Sequence, residues 1–325
     1  MDVMLPSRIL GTATVLPERR VTTEELAQAL GREPSEMERK TGIRTRHWAA
    51  PGTSMAALGA EALRRALAAA GLEARDLRRL LFVTSAGGDV LGPATANRVA
   101  AELGIAGSCD AFDLSNACMG FLSAFDVASR SVATGLAPVA IVVVELGSRL
   151  ISPEDPRPYF VFGDAAVSAI LGPARAGEGV VGAAFANDGT QPQDVWVPNP
   201  MVTRAMERVR FEVPNQRIAE VASRALMTAT RSVLEQARLT LGEVDWVLPH
   251  QPNGSMLQLI AGTLGVESAR IVPVVEEVGS VGAASIPISL DRLLRTRPVR
   301  PGARLLMVGV GAGVSYGAVL YRVGG

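Results

Sequence analysis

The sequence repeats its own pattern of elements, and this repeat limits the possible folds more than any other feature. One constant shift along the chain places Leu72 on Leu239, and each of these leucines follows a long helix with apolar residues at helical spacing. The same shift aligns an apolar strand predicted at 80–81 with one at 247–248. A constant shift across several elements is typical of a duplicated unit. The pattern therefore predicts a duplicated α/β fold.

We place the boundary between the two halves after residue 172, so that they span 1–172 and 173–325. Each half ends in an apolar, glycine-containing segment, at 160–172 and at 308–320. We predict a pair of strands around a turn in both segments. The two halves are expected to pack as a pseudo-twofold pair of layers, with functional sites where corresponding strand-to-helix turns converge.

Composition excludes several classes of function. Lys+Arg and Asp+Glu both number 32 and no basic tract occurs, so we expect no nucleic-acid partner. No apolar run reaches the length of a membrane span, and the first residues lack the features of a signal peptide. We therefore predict a cytoplasmic protein with no membrane partner. The two cysteines, Cys109 and Cys118, cannot make a disulfide framework, and without clustered histidines we expect no metal site.

Cys118 lies where the predicted strand 111–114 turns into a helix that runs from Phe121 to Gly135. We expect Cys118 in the first helical turn, where unpaired amides and the helix dipole lower the pKa of a thiol. A cysteine in that environment is a candidate nucleophile. The alternative is a small buried apolar residue. Under the shift that relates the two halves, Cys118 falls on Ser285.

The chain contains only two histidines, so a mechanism that pairs cysteine with histidine has few candidate members. His250 follows the buried strand 247–248, at the carboxyl end where α/β sheets place their ligands. It meets the expectation for a base or hydrogen-bond donor near Cys118. His47 stands among basic and aromatic residues, and we expect it on the surface.

Several motifs together resemble β-ketoacyl-acyl-carrier-protein synthase III of the thiolase superfamily, over nearly the whole chain and in the right order. They are the segments 41–44, 115–121, 162–164, 249–253, 279–287 and 311–317. The resemblance implies a thiolase fold of five αβαβα layers, with the cysteine in the N-terminal half and the histidine in the C-terminal half. It also implies a homodimer.

The resemblance further implies a ping-pong reaction. Cys118 would take an acyl group from a thioester, usually of coenzyme A. His250, usually with an asparagine, would then assist decarboxylation of a malonyl-carrier protein and attack by the carbanion. Backbone amides of Cys118 and Ala312 would form the oxyanion hole. The implied partners are acyl-coenzyme A or acyl-carrier protein as substrates, with no cofactor and no metal.

The sequence departs from this family at the site and at its entrance. Ser280 stands where the family has the asparagine, and we regard it as a weaker auxiliary to His250. Glu36 stands where a tryptophan commonly stacks on the adenine of the coenzyme. The positions of basic residues that meet the acidic carrier protein hold Glu220, Ser255, Gly262 and Thr263.

Three hypotheses follow. The first, which we favour, is an acyltransferase or condensing enzyme of specialised metabolism that forms an acyl-Cys118 intermediate. Its acceptor is not the conventional malonyl-carrier protein, and His250 acts as a base for an oxygen or nitrogen acceptor or as a donor to an enolate. The second is an ordinary decarboxylating synthase III that initiates fatty-acid or polyketide synthesis. The third is a non-catalytic partner subunit, against which the presence of both Cys118 and His250 speaks.

Overall fold

The chain folds into two stacked mixed β-sheets, with helices between them and on both outer faces. The computed structural model describes residues 3–105 and 107–324. The strands are β1 (Arg8–Val15), β2 (Arg19–Thr22), β3 (Thr45–Trp48), β4 (Arg79–Val83), β5 (Asp110–Leu114), β6 (Val139–Leu146), β7 (Asp164–Gly172), β8 (Gly179–Asn187), β9 (Val195–Trp196), β10 (Arg210–Phe211), β11 (Trp246–Pro249), β12 (Arg304–Gly311) and β13 (Ser315–Arg322).

The α-helices alternate with these strands. They are α1 (Thr23–Ala29), α2 (Pro34–Thr41), α3 (Met55–Ala70), α4 (Thr95–Glu102), α5 (Gly120–Ala133), α6 (Pro156–Tyr159), α7 (Pro200–Thr203), α8 (Asn215–Ala237), α9 (Gly254–Leu264), α10 (Val275–Val278) and α11 (Ser285–Thr296).

The two main sheets have matching topologies. The first has the order β1-β7-β6-β4-β5, and the second has the order β11-β12-β13-β8. In the first sheet, β7 pairs antiparallel with both β1 and β6. In the second sheet, β13 pairs antiparallel with both β8 and β12 in the same way. A parallel bridge from Val247 to Ile271 lies where the second sheet would carry its counterpart of β5. The topology therefore repeats, as the shift in the sequence predicts.

The apolar residues of this repeat form three buried clusters, which correspond to the spaces between five layers. One packs α3 and α4 on the first sheet, and another packs α8 and α9 on the second. The third fills the space between the sheets, where α5 and α11 share one core with strands of both halves. This arrangement is the five-layer αβαβα fold expected from the resemblance. The division into domains at residue 172 stays a prediction.

The spacing of the repeat is not constant along the chain. The helix ends at Gly71 and Arg238, both left-handed, correspond under the same shift that relates Leu72 to Leu239. The central helices α5 and α11 follow a shift that is shorter by two positions, and so do β6 and β12. Cys118 therefore corresponds to Ala283, and its predicted match with Ser285 is wrong.

The closing segments of the two halves also differ. Strands β12 and β13 pair around a turn, as predicted for 308–320. The same prediction for 160–172 is wrong, because β7 is one strand that pairs with β6 and β1. The preceding residues are held by the other half instead, since Ser280 N–H donates to Val161 O at 2.8 Å and Gly163 N–H donates to Ser280 O at 2.9 Å.

Aromatic rings of α5 pack against the C-terminal half, so the substitution of one ring tests the core that the two halves share. Phe125 is fully buried, with its ring centroid 5.8 Å from that of Phe121 and 5.9 Å, edge-on, from that of Tyr321 in β13. Phe125→Ala is expected to lower the free energy of unfolding by about 3–5 kcal/mol, because it leaves a cavity in this layer. Denaturant unfolding measures the loss. Phe185→Ala, at a side chain that is 41% exposed, is the matched control. Equal losses for the two variants would contradict the shared core.

Candidate active site

A cavity of about 750 Å³ joins the two halves and contains the predicted catalytic side chains. Cys118, His250, Ser280 and Ala312 all line it. His250 and Ser280 are buried, whereas Gln216 at the other end is exposed. The cavity thus runs from the surface to the predicted nucleophile. His47 lies outside it, in β3, with Nδ1 2.6 Å from Pro17 O.

Cys118 lies two residues before the first residue of α5, so its predicted position in the first helical turn is wrong. Helix α5 begins at Gly120, and Met119 N–H donates to Asn116 O at 2.9 Å in the tight turn that precedes it. The backbone at Ala117 has a positive φ of 43°, which a non-glycine residue rarely adopts. This turn directs Cys118 to the cavity wall, which leaves it partly exposed.

The environment of Cys118 raises its pKa to about 12, in contrast to the lowering expected from the helix dipole. The residue as a whole is partly exposed, but its thiol is surrounded by protein, so loss of hydration is the main cause, and the negative charge of Glu145 adds to it. The dipole acts within the first turn, and Cys118 lies before it. At neutral pH the resting nucleophile is therefore a thiol.

The other segment expected to contribute to the oxyanion hole is Gly311 and Ala312 at the end of β12, and it lies against this turn. A Cβ at Gly311 would come within 3.2 Å of both Cys118 N and Met119 N, so the two backbones approach closely at this glycine. Ala312 follows Gly311 and lines the cavity beside Cys118. This juxtaposition fits an oxyanion site formed by backbone amides, which stays a prediction.

His250 follows β11 directly and is fixed through its backbone and its ring. Its N–H donates to Val308 O at 2.8 Å, and its Nδ1 lies 2.8 Å from Ser285 Oγ. Burial lowers the pKa of His250 to about 4, so the ring is neutral at physiological pH. Since Nδ1 is engaged, Nε2 is the nitrogen available to a substrate.

Ser280 is held by backbone hydrogen bonds on both sides, to Val161 and Gly163. It is 5% exposed and lines the cavity that His250 also lines. Gly279 before it has a φ of +73°, and a Cβ there would come within 2.9 Å of Val161 O. The backbone is therefore tightly fitted, and the reach of the side chain decides what residue 280 can contact.

Glu145 is a buried carboxyl group near the nucleophile that was not among the residues predicted for the site. It lies near the end of β6, and its Oε1 accepts hydrogen bonds from Ser85 Oγ at 2.6 Å and from Ala283 N at 3.0 Å. Burial raises its pKa to about 7. The signal in the sequence is one carboxylate in an otherwise apolar strand.

The entrance combines residues from four segments. On α2, Lys40 lines the cavity and pairs with Glu36 at 2.5 Å. The guanidinium of Arg157 lies over the ring of Phe211, 4.4 Å from its centroid, and both residues line the cavity. Ser255 also lines it. Among the other positions singled out in the sequence, Glu220 is exposed, Gly262 lies on α9, and Thr263 lines a separate groove between α8 and α9.

Comparisons with known proteins agree with this geometry. The model of the family described as 3-oxoacyl-[acyl-carrier-protein] synthase III matches residues 112–189, and the model of its C-terminal part matches residues 234–323. A β-ketoacyl-[acyl-carrier-protein] synthase III of Rhizorhabdus wittichii is 34% identical over 317 residues, which cover 97% of this chain and 98% of the relative. The chain belongs to the synthase III family. It is therefore a member of a family of condensing ketosynthases.

Solved structures extend the likeness to the whole fold. The 3-oxoacyl-(acyl carrier protein) synthase III of Pseudomonas aeruginosa superimposes with a TM-score of 0.90 at 31% identity, covering 98% of this chain and 99% of that chain. The priming β-ketosynthase of a polyketide biosynthetic pathway superimposes with a TM-score of 0.89 at 29% identity, covering 100% of this chain and 98% of that chain. These matches confirm the thiolase fold.

Glu145→Gln tests whether the buried carboxylate controls the nucleophile. The substitution removes the charge that disfavours the thiolate and keeps an oxygen for the amides of Ser85 and Ala283. We expect iodoacetamide to alkylate Cys118 about tenfold faster at a given pH, because thiolate is the reactive form. The rate is measured between about pH 6 and pH 10 by peptide mass spectrometry, which separates Cys118 from Cys109.

Glu178→Gln is the matched control, since Glu178 is equally buried but bonded to Tyr321 on the second sheet. It should leave the alkylation of Cys118 unchanged. An unchanged or slower rate for Glu145→Gln would rule out this electrostatic coupling.

Proposed function

We propose that this protein is an acyltransferase or condensing enzyme of specialised metabolism that works through an acyl-Cys118 intermediate. The observation that carries the proposal is the single cavity in which Cys118 of one half and His250 of the other face the same space. The acyl donor is an acyl-coenzyme A or an acyl-carrier-protein thioester. The acceptor differs from the conventional malonyl-carrier protein. No cofactor or metal takes part in these steps.

In the loading step, Cys118 Sγ attacks the thioester carbonyl of the donor. A new carbon–sulfur bond forms to Cys118, the bond to the donor sulfur breaks, and the thiol proton leaves with the released donor thiol. Backbone amides of Cys118 and Ala312 would hold the oxyanion, a contribution of roughly 3–4 kcal/mol per donor in other acyl-transfer enzymes. This step needs neither His250 nor Ser280.

The proposal of an unusual acceptor rests on residue 280. An asparagine side chain would present an amide N–H toward the space in front of His250. The hydroxyl of Ser280 is shorter, and the backbone that carries it is fixed on both sides. A malonyl enolate would then have one close donor instead of two, which weakens decarboxylation.

The entrance supports the same view. Glu36 forms an ion pair with Lys40 and has no aromatic surface on which adenine could stack. Arg157 stacks on Phe211. Glu220 and Ser255 offer no positive charge to an acidic carrier protein. Electrostatic complementarity governs such encounters, so the usual carrier protein would dock less well.

The second candidate is an ordinary decarboxylating synthase III. It is favoured by the relative with 34% identity over nearly the full chain, which carries that name. Under this candidate Ser280 completes the donor pair through a bridging water.

We also propose a homodimer. Strand β5 lies at the edge of the first sheet, with unpaired backbone groups on one side. Leu91, in the segment that follows β4, is 78% exposed. A second copy would cover both features. No helix of the described residues is long and apolar enough to cross a membrane, and location in the cytoplasm remains part of the proposal.

Acyl loading is tested by intact-protein mass spectrometry after incubation with a panel of acyl-coenzyme A and acyl-carrier-protein thioesters. Wild type is expected to gain one acyl mass, and Cys118→Ala none, because the nucleophile is lost. His250→Ala is expected to load normally but to keep its acyl group when an acceptor is added. Full turnover by His250→Ala would remove the assigned role of the histidine, and loading of Cys118→Ala would remove the intermediate.

Ser280→Asn tests the proposed acceptor. Restoring an amide N–H beside His250 is expected to raise decarboxylation of malonyl-carrier protein by about tenfold or more, since one added donor stabilises the enolate. Release of carbon dioxide is the measurement. Ser268→Asn places the same amide at an exposed position outside the cavity and should have no effect. Equally fast decarboxylation by wild type and Ser280→Asn would favour the ordinary synthase.

A further inference from the structure

We propose that Ser285 is a positioning residue that holds His250 in the tautomer with its proton on Nε2, so that His250 serves the transfer step as a hydrogen-bond donor. This inference rests on the proposed acyl transfer and deepens it, because it selects between the two roles open to His250. A histidine with a lone pair on Nε2 acts as a base for an alcohol or amine. A histidine with a proton there stabilises an oxyanion or enolate instead.

The geometry consists of three groups at the start of α11. Ser285 Oγ lies 2.8 Å from His250 Nδ1. The backbone N–H of Gln251, the next residue along the loop, donates to the same Ser285 Oγ at 3.3 Å. All three residues are buried. A serine hydroxyl has one proton to donate and lone pairs to accept, so these contacts can be assigned.

Gln251 N–H uses a lone pair of Ser285 Oγ, because a backbone amide can only donate. The hydroxyl proton of Ser285 then needs an acceptor, since an unpaired buried hydroxyl carries a large desolvation cost. Within the described residues, His250 Nδ1 is the acceptor that Ser285 Oγ contacts. Nδ1 therefore holds a lone pair, and in a neutral ring the proton is on Nε2.

The surrounding contacts keep this arrangement in place. The side-chain oxygen of Gln251 accepts from Val274 N–H at 2.9 Å and Val275 N–H at 3.1 Å. Its amide nitrogen donates to Val272 O and to Ser289 Oγ, both at 2.9 Å. The backbone that presents Gln251 N–H to Ser285 is thus anchored on two sides. A flipped imidazole would place a carbon against Ser285 Oγ and lose the hydrogen bond.

The charge state of the ring agrees with this assignment. Burial lowers the pKa of His250 to about 4, so both nitrogens are not protonated together at neutral pH. Nε2–H is then the one donor that the ring offers to the cavity. Ser280 lines the same cavity, but its shorter side chain leaves Nε2–H as the close donor.

The consequence is that the acceptor is a carbon nucleophile. For an α-carboxyacyl thioester, the bond to the carboxyl group breaks, carbon dioxide leaves, and the electron pair moves to an enolate whose oxygen accepts from Nε2–H. The enolate carbon then bonds to the acyl carbon, the bond to Cys118 Sγ breaks, and the thiolate takes a proton from water. An alcohol or amine acceptor would need a lone pair on Nε2, which this tautomer lacks.

Nitrogen NMR of protein labelled with ¹⁵N-histidine tests the tautomer directly. The chain has two histidines, and His47→Gln removes the signals of one of them, so His250 is assigned without ambiguity. We expect wild-type His250 near neutral pH to show a protonated Nε2 and an unprotonated Nδ1. Protonation at Nδ1 in wild type would overturn the proposal, and this measurement needs no substitution at Ser285.

Ser285→Ala then tests the role of the hydroxyl. We expect its His250 to populate both tautomers, and transfer from acyl-Cys118 to fall about tenfold to a hundredfold while acyl loading is unchanged. Ser285→Thr keeps a hydroxyl and should restore both readouts. Ser289→Ala, one turn further along the same buried helix face, removes a hydroxyl that bonds Gln251 and not His250, and it should leave the tautomer unchanged.

A wild-type tautomer in Ser285→Ala would overturn the assigned role even if transfer were slow. Because the NMR readout needs neither donor nor acceptor, failure of the tautomer proposal is separable from failure of the proposed function. The latter would appear as the absence of an acyl adduct on wild-type Cys118.

Discussion

The close contact between the two halves at the start of α5 is the constraint on which the site depends. A Cβ at Gly120 would lie 2.6 Å from Val83 Cγ1 and 3.6 Å from Ala283 Cβ, so the helix meets β4 and the other half at van der Waals distance. A Cβ at Gly309 would lie 2.8 Å from Met119 Sδ. Small residues on both sides therefore let the central helices begin side by side. This brings the Cys118 turn beside Gly311 and the His250 loop.

The same burial that joins the halves sets the charge state of the site. It raises the pKa of Cys118, lowers that of His250 and raises that of Glu145. Each shift favours the neutral form of its group, as expected where charges lose contact with water. The resting site thus consists of a thiol, a neutral imidazole and polar groups of fixed direction. Such a site stabilises charge that develops on a bound substrate oxygen, because its donors are already oriented.

The sequence predicts the parts of this structure that depend on periodicity and order. The duplication, the strand before Cys118 and the helix after it follow from local patterns that the tertiary structure keeps. The position of His250 at the end of β11 also follows, since the carboxyl ends of sheet strands form sites. The motifs that resemble synthase III predicted that Cys118, His250 and Ser280 belong to one site, and all three line one cavity.

Other features depend on contacts between distant segments and could not be predicted. The change in the spacing of the repeat between the outer and the central helices arises in loops, which carry no periodic signal. The raised pKa of Cys118 needs the burial of its turn and the position of Glu145, and both become known only when α5, β6 and the segment before α11 are assembled. The strand pair predicted at 160–172 failed because Val161 and Gly163 bind Ser280 across the two halves. The contact between Ser285 and His250 likewise joins distant segments of the chain.

The most direct test of the proposed reaction is to identify which bond forms in a single turnover. Acyl-loaded enzyme is mixed with a panel of acceptors that holds malonyl-carrier protein, other α-carboxyacyl and β-ketoacyl thioesters, alcohols and amines, and the products are analysed by mass spectrometry. We predict a new carbon–carbon bond, formed fastest with a thioester other than malonyl-carrier protein. Products that are only esters or amides would contradict this prediction, because they require a base at Nε2 of His250, where we propose a hydrogen-bond donor.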